Sequence, residues 1–280
     1  MFYLQSAAGE EPGQTWMLNL RCSMGASTLG EHLARHPEDA GNADGSLPFT
    51  VCRRSIAQPS RVMVHPTDAL ARAQGAQYGV EKLWWLTKTA PTACLYLGLN
   101  REVTQQELQS AIENGGLDAL MQPACAHAGN AAFIPAGMLH ATGAGLSLLE
   151  VKTTTSLAAD AYLCNGDDQE TAERIANFAT KRLSLCLPPN SGRAACLFDA
   201  QTETVVDCAS FAGIFVKLDG KMPLYVPQTT FYFLTVLDGE INVSGTEAPL
   251  QANACGFFPA GERALLAGKG TLLLFYRSRY

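Results

Sequence analysis

Apolar residues in this chain come in short runs broken by Gly, Pro, Asn and Asp, the pattern of strands and turns rather than of long helices. Thr15-Trp16-Met17-Leu18 reads as an entering strand. Strands resume over Pro48–Val64, where Arg61, Met63 and His65 share one face by period two and Val62 and Val64 share the other. Leu83-Trp84-Trp85-Leu86 and Ala93–Gly98 are further strands, and strands dominate again from Ala195 onward. Asp238-Gly239, between FYFLTV and INVSG, predicts an Asp-Gly hairpin turn. Helical patterns are few. Ser27 or Thr28 caps a short helix, and Asp39–Ser46 follows as a loop. Thr104-Gln105-Gln106-Glu107 is a capping box that points Leu108, Ile112 and Leu117 inward, with a stop signal at Asn114-Gly115-Gly116. Asp167 or Asp168 opens a helix reaching about Arg182, and Leu187–Gly192 reads as a linker.

One pattern occurs twice. Phe133–Gly145, FIPAGMLHATGAG, reads as a strand, a Pro-Ala-Gly turn and a second strand carrying His140. Phe257–Gly261, FFPAG, repeats it, and Ala264 stands where the first copy has His140. Gly143-Ala144-Gly145 opens LSLLEV in the first copy, as Gly268-Lys269-Gly270 opens TLLLFY in the second. The duplication predicts two β units, residues 1–165 and 195–280, joined by a linker helix and loop over 166–194. Only the first unit can hold a histidine-based site.

Composition narrows the classes. The 280 residues are 47% hydrophobic, enough for sizeable cores, and the net charge of −6 comes without a basic run. Nucleic-acid binding is therefore not expected, and no apolar stretch is long enough to span a bilayer. The N-terminal residues lack the basic-then-apolar pattern of a secretory signal. Nine cysteines without a C-x-x-C pair are expected to be reduced thiols in the cytoplasm.

Motif order and spacing bring a resemblance. Gly13-Gln14-Thr15-Trp16 is similar to G-E-[SC]-W, Thr28-Leu29-Gly30-Glu31 to T-L-G-E, and Val62–Asp68 to V-Q-V-H-P-D-D. Gly79–Trp85 resembles G-K-T-E-C-W-Y, Leu99–Thr104 resembles F-N-R-D-V-T, and Ile134–Ala141 resembles I-P-A-G-T-x-H-A. Together these resemble the short bacterial type I mannose-6-phosphate isomerases. The resemblance implies a double cupin, two rolled β units with a few peripheral helices, and carbohydrate metabolism. It also implies a zinc ion on the Gln and His of Q-V-H, the Glu of G-K-T-E and the His of P-A-G-x-x-H. Here His65 and His140 remain, while Met63 stands at the Gln position and Lys82 at the Glu position. Cys52 stands where a sugar-site lysine is implied, Gln14 replaces the Glu of G-E-[SC]-W, and no Arg lies between Arg101 and Arg174 to match the family's catalytic arginine.

Aldose–ketose isomerisation needs an acid–base group and a cation to stabilise an enediol oxygen. An ammonium in a ligand position opposes zinc, since two charges a few ångströms apart interact at about 4 kcal/mol even in a dielectric of about 20. The thioether of Met63 is a poor substitute for an oxygen donor. The expectation is therefore a pocket that binds a sugar or sugar phosphate through Trp84, Lys82 and Cys52, with zinc weak or absent at His65 and His140. In this reading the Lys82 ammonium takes the metal's place and donates to both imidazoles. The alternative is an active zinc isomerase in which a strand bulge turns Glu81 inward as a ligand. A third reading makes Lys82 the general base of another reaction, its pKa lowered by burial. Four candidates have ordinary readings: His32 and His36 as solvated helix residues, His127 as a loop residue, and Glu150 as a hydrogen-bonding group inside the barrel.

Overall fold

The computed structural model describes residues 1–157, 162–163, 195–197 and 199–278. In chain order the elements begin with β1 (Phe2–Leu4), β2 (Ala7–Ala8), β3 (Gln14–Leu18), α1 (Leu29–Arg35) and β4 (Phe49–Ile56). Next come β5 (Met63–Val64), α2 (Asp68–Ala73), β6 (Lys82–Thr89), β7 (Cys94–Leu99), α3 (Gln105–Glu113) and β8 (Met121–Cys125). β9 (Ala131–Ile134), β10 (His140–Thr142), β11 (Leu146–Thr153), β12 (Tyr162–Leu163) and β13 (Ala195–Leu197) follow. The chain ends with β14 (Ala200–Asp207), β15 (Phe211–Tyr225), β16 (Tyr232–Val243), β17 (Leu250–Gln251), β18 (Cys255–Phe258) and β19 (Arg263–Arg277). The protein is mainly β, as a double cupin requires. None of its described helices is long and apolar enough to cross a membrane.

The helix signals act as read. Thr28 Oγ1 accepts from Glu31 N–H while Glu31 returns a bond to Thr28 N–H, a complete capping box that seats Leu29 and Leu33 in the core. At α3 half of the expected box forms. Thr104 Oγ1 accepts from Glu107 N–H, but the Glu107 carboxylate is taken by Arg101. Leu108, Ile112 and Leu117 are buried as expected, and Gly115 takes the left-handed conformation after the Asn114 cap, at φ 76°.

Residues fall into two compact units, 53–188 and 1–52 with 189–280. The sequence division into 1–165 and 195–280 thus differs in where it puts the first 52 residues. β1 pairs with β18, Phe2 opposite Phe257, a long-range pairing that no local pattern announces. The linker expected over 166–194 lies outside the described residues.

In the 53–188 unit one sheet runs β12-β5-β10-β7-β8; the second places β11, β6 and β9 in that order beside the Arg53–Ile56 end of β4. Val62 and Val64 pack with Leu99, Leu108 and Ile112, which leaves Met63 and His65 for the opposite face. In the other unit β15, β19 and β16 form the centre of one long sheet, with Leu234, Val236, Leu272 and Leu274 in its core.

The Asp-Gly hairpin is not formed. Asp238-Gly239 lies inside β16, where the register against β19 shifts between Val236 and Asp238. It is a β-bulge with Gly239 at φ 85°, and a Cβ there would sit 2.2 Å from the Lys269 carbonyl oxygen. A bulge and a tight turn both demand positive φ, so the dipeptide alone does not separate them. Gly239→Ala should therefore cost about 1–3 kcal/mol from strain. It should exceed Gly245→Ala, where φ is 80° but nothing lies within 4 Å of an added Cβ. Equal losses in urea unfolding would contradict the bulge.

Candidate functional site

The Pro135-Ala136-Gly137 turn sets the site. Gly137, at φ 82°, donates its N–H to the His65 carbonyl oxygen at 3.0 Å, tying the end of β5 to the start of β10. His140 pairs across the sheet with Met63, and the His65 and His140 rings lie 4.8 Å apart. Both histidines are essentially inaccessible to solvent, at 1% and 0% exposure. The His140 Nδ1 lies 2.9 Å from the Met138 carbonyl oxygen, which can only accept, so Nδ1 carries the proton. Its Nε2 is left as a buried acceptor with no hydrogen-bond partner among the described residues. Burial, and then the Lys82 charge, push the pKa of His140 down to about 3, so the ring is neutral at physiological pH.

β6 supplies the opposite wall. Its register against β11 is regular from Lys82–Lys152 to Leu86–Leu148, and the one shift in the pair lies at the far end, between Ser147 and Leu148. The bulge that would turn Glu81 inward is absent. Glu81 donates its backbone N–H to Thr153 Oγ1, while Lys82 is buried at 4% exposure. Trp84 packs edge-on to His140 at 5.5 Å between ring centres and donates Nε1–H to Glu150 Oε2 at 2.8 Å. Trp85 is buried on the other face of the strand.

Glu150 is the hub. Lys82 Nζ lies 3.2 Å from one carboxylate oxygen and Arg54 3.5 Å from the other, and the carboxylate is 4% exposed. Burial works to raise its pKa, but Lys82, Arg54, the Trp84 bond and Lys152 outweigh it, and the net direction is down. Burial pulls the Lys82 pKa down, against the attraction of Glu150. The expected donation from Lys82 to the imidazoles is thus replaced by an ion pair to Glu150. Lys82, Arg54 and Lys152 thus act on Glu150 from around it, beside the neutral His140.

Lys82, Trp84, His140, Thr142 and Glu150 form the floor of a small cavity, and the half-exposed Arg54, Ile56, Ser60 and Met63 form its rim. Its volume of about 20 Å³ holds about one water. Cys52 is not in this lining. It is buried and receives a hydrogen bond from Gln14 Nε2 at 3.6 Å. His127 is an exposed loop residue. His32 is held by Asp39 at 2.6 Å and His36 lies 3.4 Å from Glu38, so the first of these is a paired, partly buried residue rather than a solvated one. Two members of the cluster escaped the sequence reading. Arg54 follows Cys52 by two on β4, and Lys152 follows Glu150 by two on β11, so strand alternation places both on the site face.

Comparison with known proteins bears on the fold. No protein-family model matches the chain. The mannose-6-phosphate isomerase ManA of Bacillus subtilis (strain 168) is 26% identical over 219 residues, which cover 76% of this chain and 69% of that protein. In sequence the chain is similar to mannose-6-phosphate isomerases. The fold is shared throughout. A crystal structure of a Bacillus subtilis mannose 6-phosphate isomerase superposes with a TM-score of 0.81 over 98% of each chain at 17% identity. A zinc-bound mannose 6-phosphate isomerase superposes with a TM-score of 0.75 over 99% of each chain at 14% identity.

The residues here do not fit zinc. His140 offers a lone pair, but the nearest carboxylate is committed to Lys82, Arg54 and Trp84. Among the described residues no three His, Cys, Asp or Glu side chains converge as a metal site. A buried ammonium beside the imidazoles adds repulsion of about 4 kcal/mol per unit of metal charge at 4 Å and a dielectric of about 20.

The hub makes an asymmetric prediction. Glu150→Gln keeps the shape but strands the buried Lys82 charge, and should cost about 3–5 kcal/mol in urea unfolding. Lys82→Met leaves Glu150 with Arg54 and Trp84 and should cost less than about 2 kcal/mol. The reverse order would show that Glu150 does not hold the cluster together.

Proposed function

We propose that this chain is a family member that no longer performs zinc-dependent isomerisation and instead holds a small anionic sugar, a sugar phosphate in the first instance. The supporting observation is Lys82, buried where the family resemblance calls for a carboxylate ligand and paired to Glu150 beside His140. Arg54, paired with Glu150, carries a positive charge at the half-exposed rim, where a phosphoryl group can meet a guanidinium. Ser60 sits at the same edge, and its hydroxyl already accepts from the N–H of Thr142 in the floor at 2.9 Å. The closed floor leaves room for about one water, so the sugar sits at the rim rather than against the histidines. Six free cysteines among the described residues suit a reducing cytoplasm.

One observation favours the competing reading of an active zinc isomerase. The partnerless Nε2 of His140, with Nδ1 fixed by a carbonyl, is how a metal-ligating imidazole is oriented. Elemental analysis of protein dialysed against zinc, beside a coupled assay for mannose 6-phosphate to fructose 6-phosphate conversion, separates the two. Zinc far below one per chain with no conversion is expected. Near-stoichiometric zinc with turnover would overturn the proposal.

A further inference from the structure

The internal repeat can be read residue by residue from the registers. In the 53–188 unit Lys82 pairs with Ile134, the residue before Pro135-Ala136-Gly137, and with Lys152 on its other side. In the other unit Tyr232 pairs with Phe258, the residue before Pro259-Ala260-Gly261, and with Tyr276 on its other side. Gly137 donates to the His65 carbonyl oxygen, and Gly261 donates to that of Val226. The positions of His65, Lys82, His140 and Lys152 are thus filled in the second copy by Val226, Tyr232, Ala264 and Tyr276. Leu234 and Leu274 stand where the first copy has Trp84 and Glu150, and both are buried core residues. Leucines thus fill the second copy where the first has its charged floor, and of the counterparts of that floor only Tyr232 borders an open space. A cavity of about 430 Å³ opens beside the tyrosine pair, against about 20 Å³ at the first site.

We propose that this cavity, walled by Tyr232, Tyr276, Thr229 and Arg277, is a second ligand site, for a monosaccharide carrying a phosphate. Its volume lies within the ordinary range of small-molecule sites. The two tyrosine rings, 5.2 Å apart and tilted, offer flat apolar faces with polar tips, suited to a sugar ring. Arg277 is half-buried, and its guanidinium makes no ion pair or side-chain hydrogen bond among the described residues. Its backbone is fixed by donation to Thr230 Oγ1 at 3.0 Å, and it lines the cavity. Asp44, whose carboxyl is held below its usual range first by Ser46 and last by the Arg277 charge, accepts from Ser46 N–H at 3.0 Å, and Asp207 lies 3.3 Å from the Ser278 hydroxyl. A planar guanidinium with open donors is matched by a phosphoryl group. Gly41 lines the same cavity at φ 71°, where a Cβ would strike Thr230 N at 2.2 Å, so this edge is built for close backbone approach.

Calorimetric titration of the full chain with mannose 6-phosphate tests this, with mannose and inorganic phosphate as controls. The wild type should bind mannose 6-phosphate more tightly than either control. Arg277→Gln and Thr229→Trp should each lose one binding event, or weaken it about tenfold or more. Thr229 is exposed, so its tryptophan fills the cavity without entering the core. Any event at the Lys82 site survives both changes, so failure there is read separately from failure here. No heat from the wild type, or either variant titrating as the wild type does, would overturn the second site.

Discussion

A buried carboxylate organises this protein's central site. Glu150 accepts from Trp84 and faces Lys82 and Arg54 within a strand pair that excludes water. Neither the Glu150 nor the Lys82 charge is tolerable alone in such a place; each is buried because the other is. The cluster also decides the chemistry. Among the described residues it engages the nearest carboxylate with ammonium and guanidinium partners rather than leaving it as a ligand.

The two halves show what a duplicated β unit retains and what it is free to change. The turn, the glycine N–H that ties it to the preceding strand, and the strand register are common to both copies. Those features fix the backbone, and the backbone does not specify what points inward. One copy lines its interior with histidines and charges, the other with leucines and a tyrosine pair. The polar copy keeps a cavity of about 20 Å³, whereas leucines fill the corresponding positions of the apolar copy.

Much of this was legible in the sequence because it was local. The Pro-Ala-Gly turns, the capping residues Thr28 and Thr104, and the alternation of Met63 and His65 against Val62 and Val64 each depend on a few neighbouring residues. Asp238-Gly239 was misread because a bulge asks the same of its glycine as a hairpin does. The grouping of residues 1–52 with the C-terminal strands rests on pairings such as Phe2–Phe257, far apart in sequence. At the site, alternation was enough to find Arg54 and Lys152, but the motif positions drew the reading to Cys52 instead. That Lys82 would turn to Glu150 rather than to the imidazoles was not legible. It depends on a cross-strand distance, and Glu150 is the stronger partner because it is charged.

The claim at the centre is that an ammonium ion pair stands where the resemblance calls for a metal centre. Anomalous diffraction from crystals grown in excess zinc, collected on either side of the zinc edge, tests it most directly. The account predicts no anomalous peak between the rings of His65 and His140, with Lys82 Nζ ordered against Glu150. A zinc peak within bonding distance of both rings, with Lys82 swung away, would contradict it.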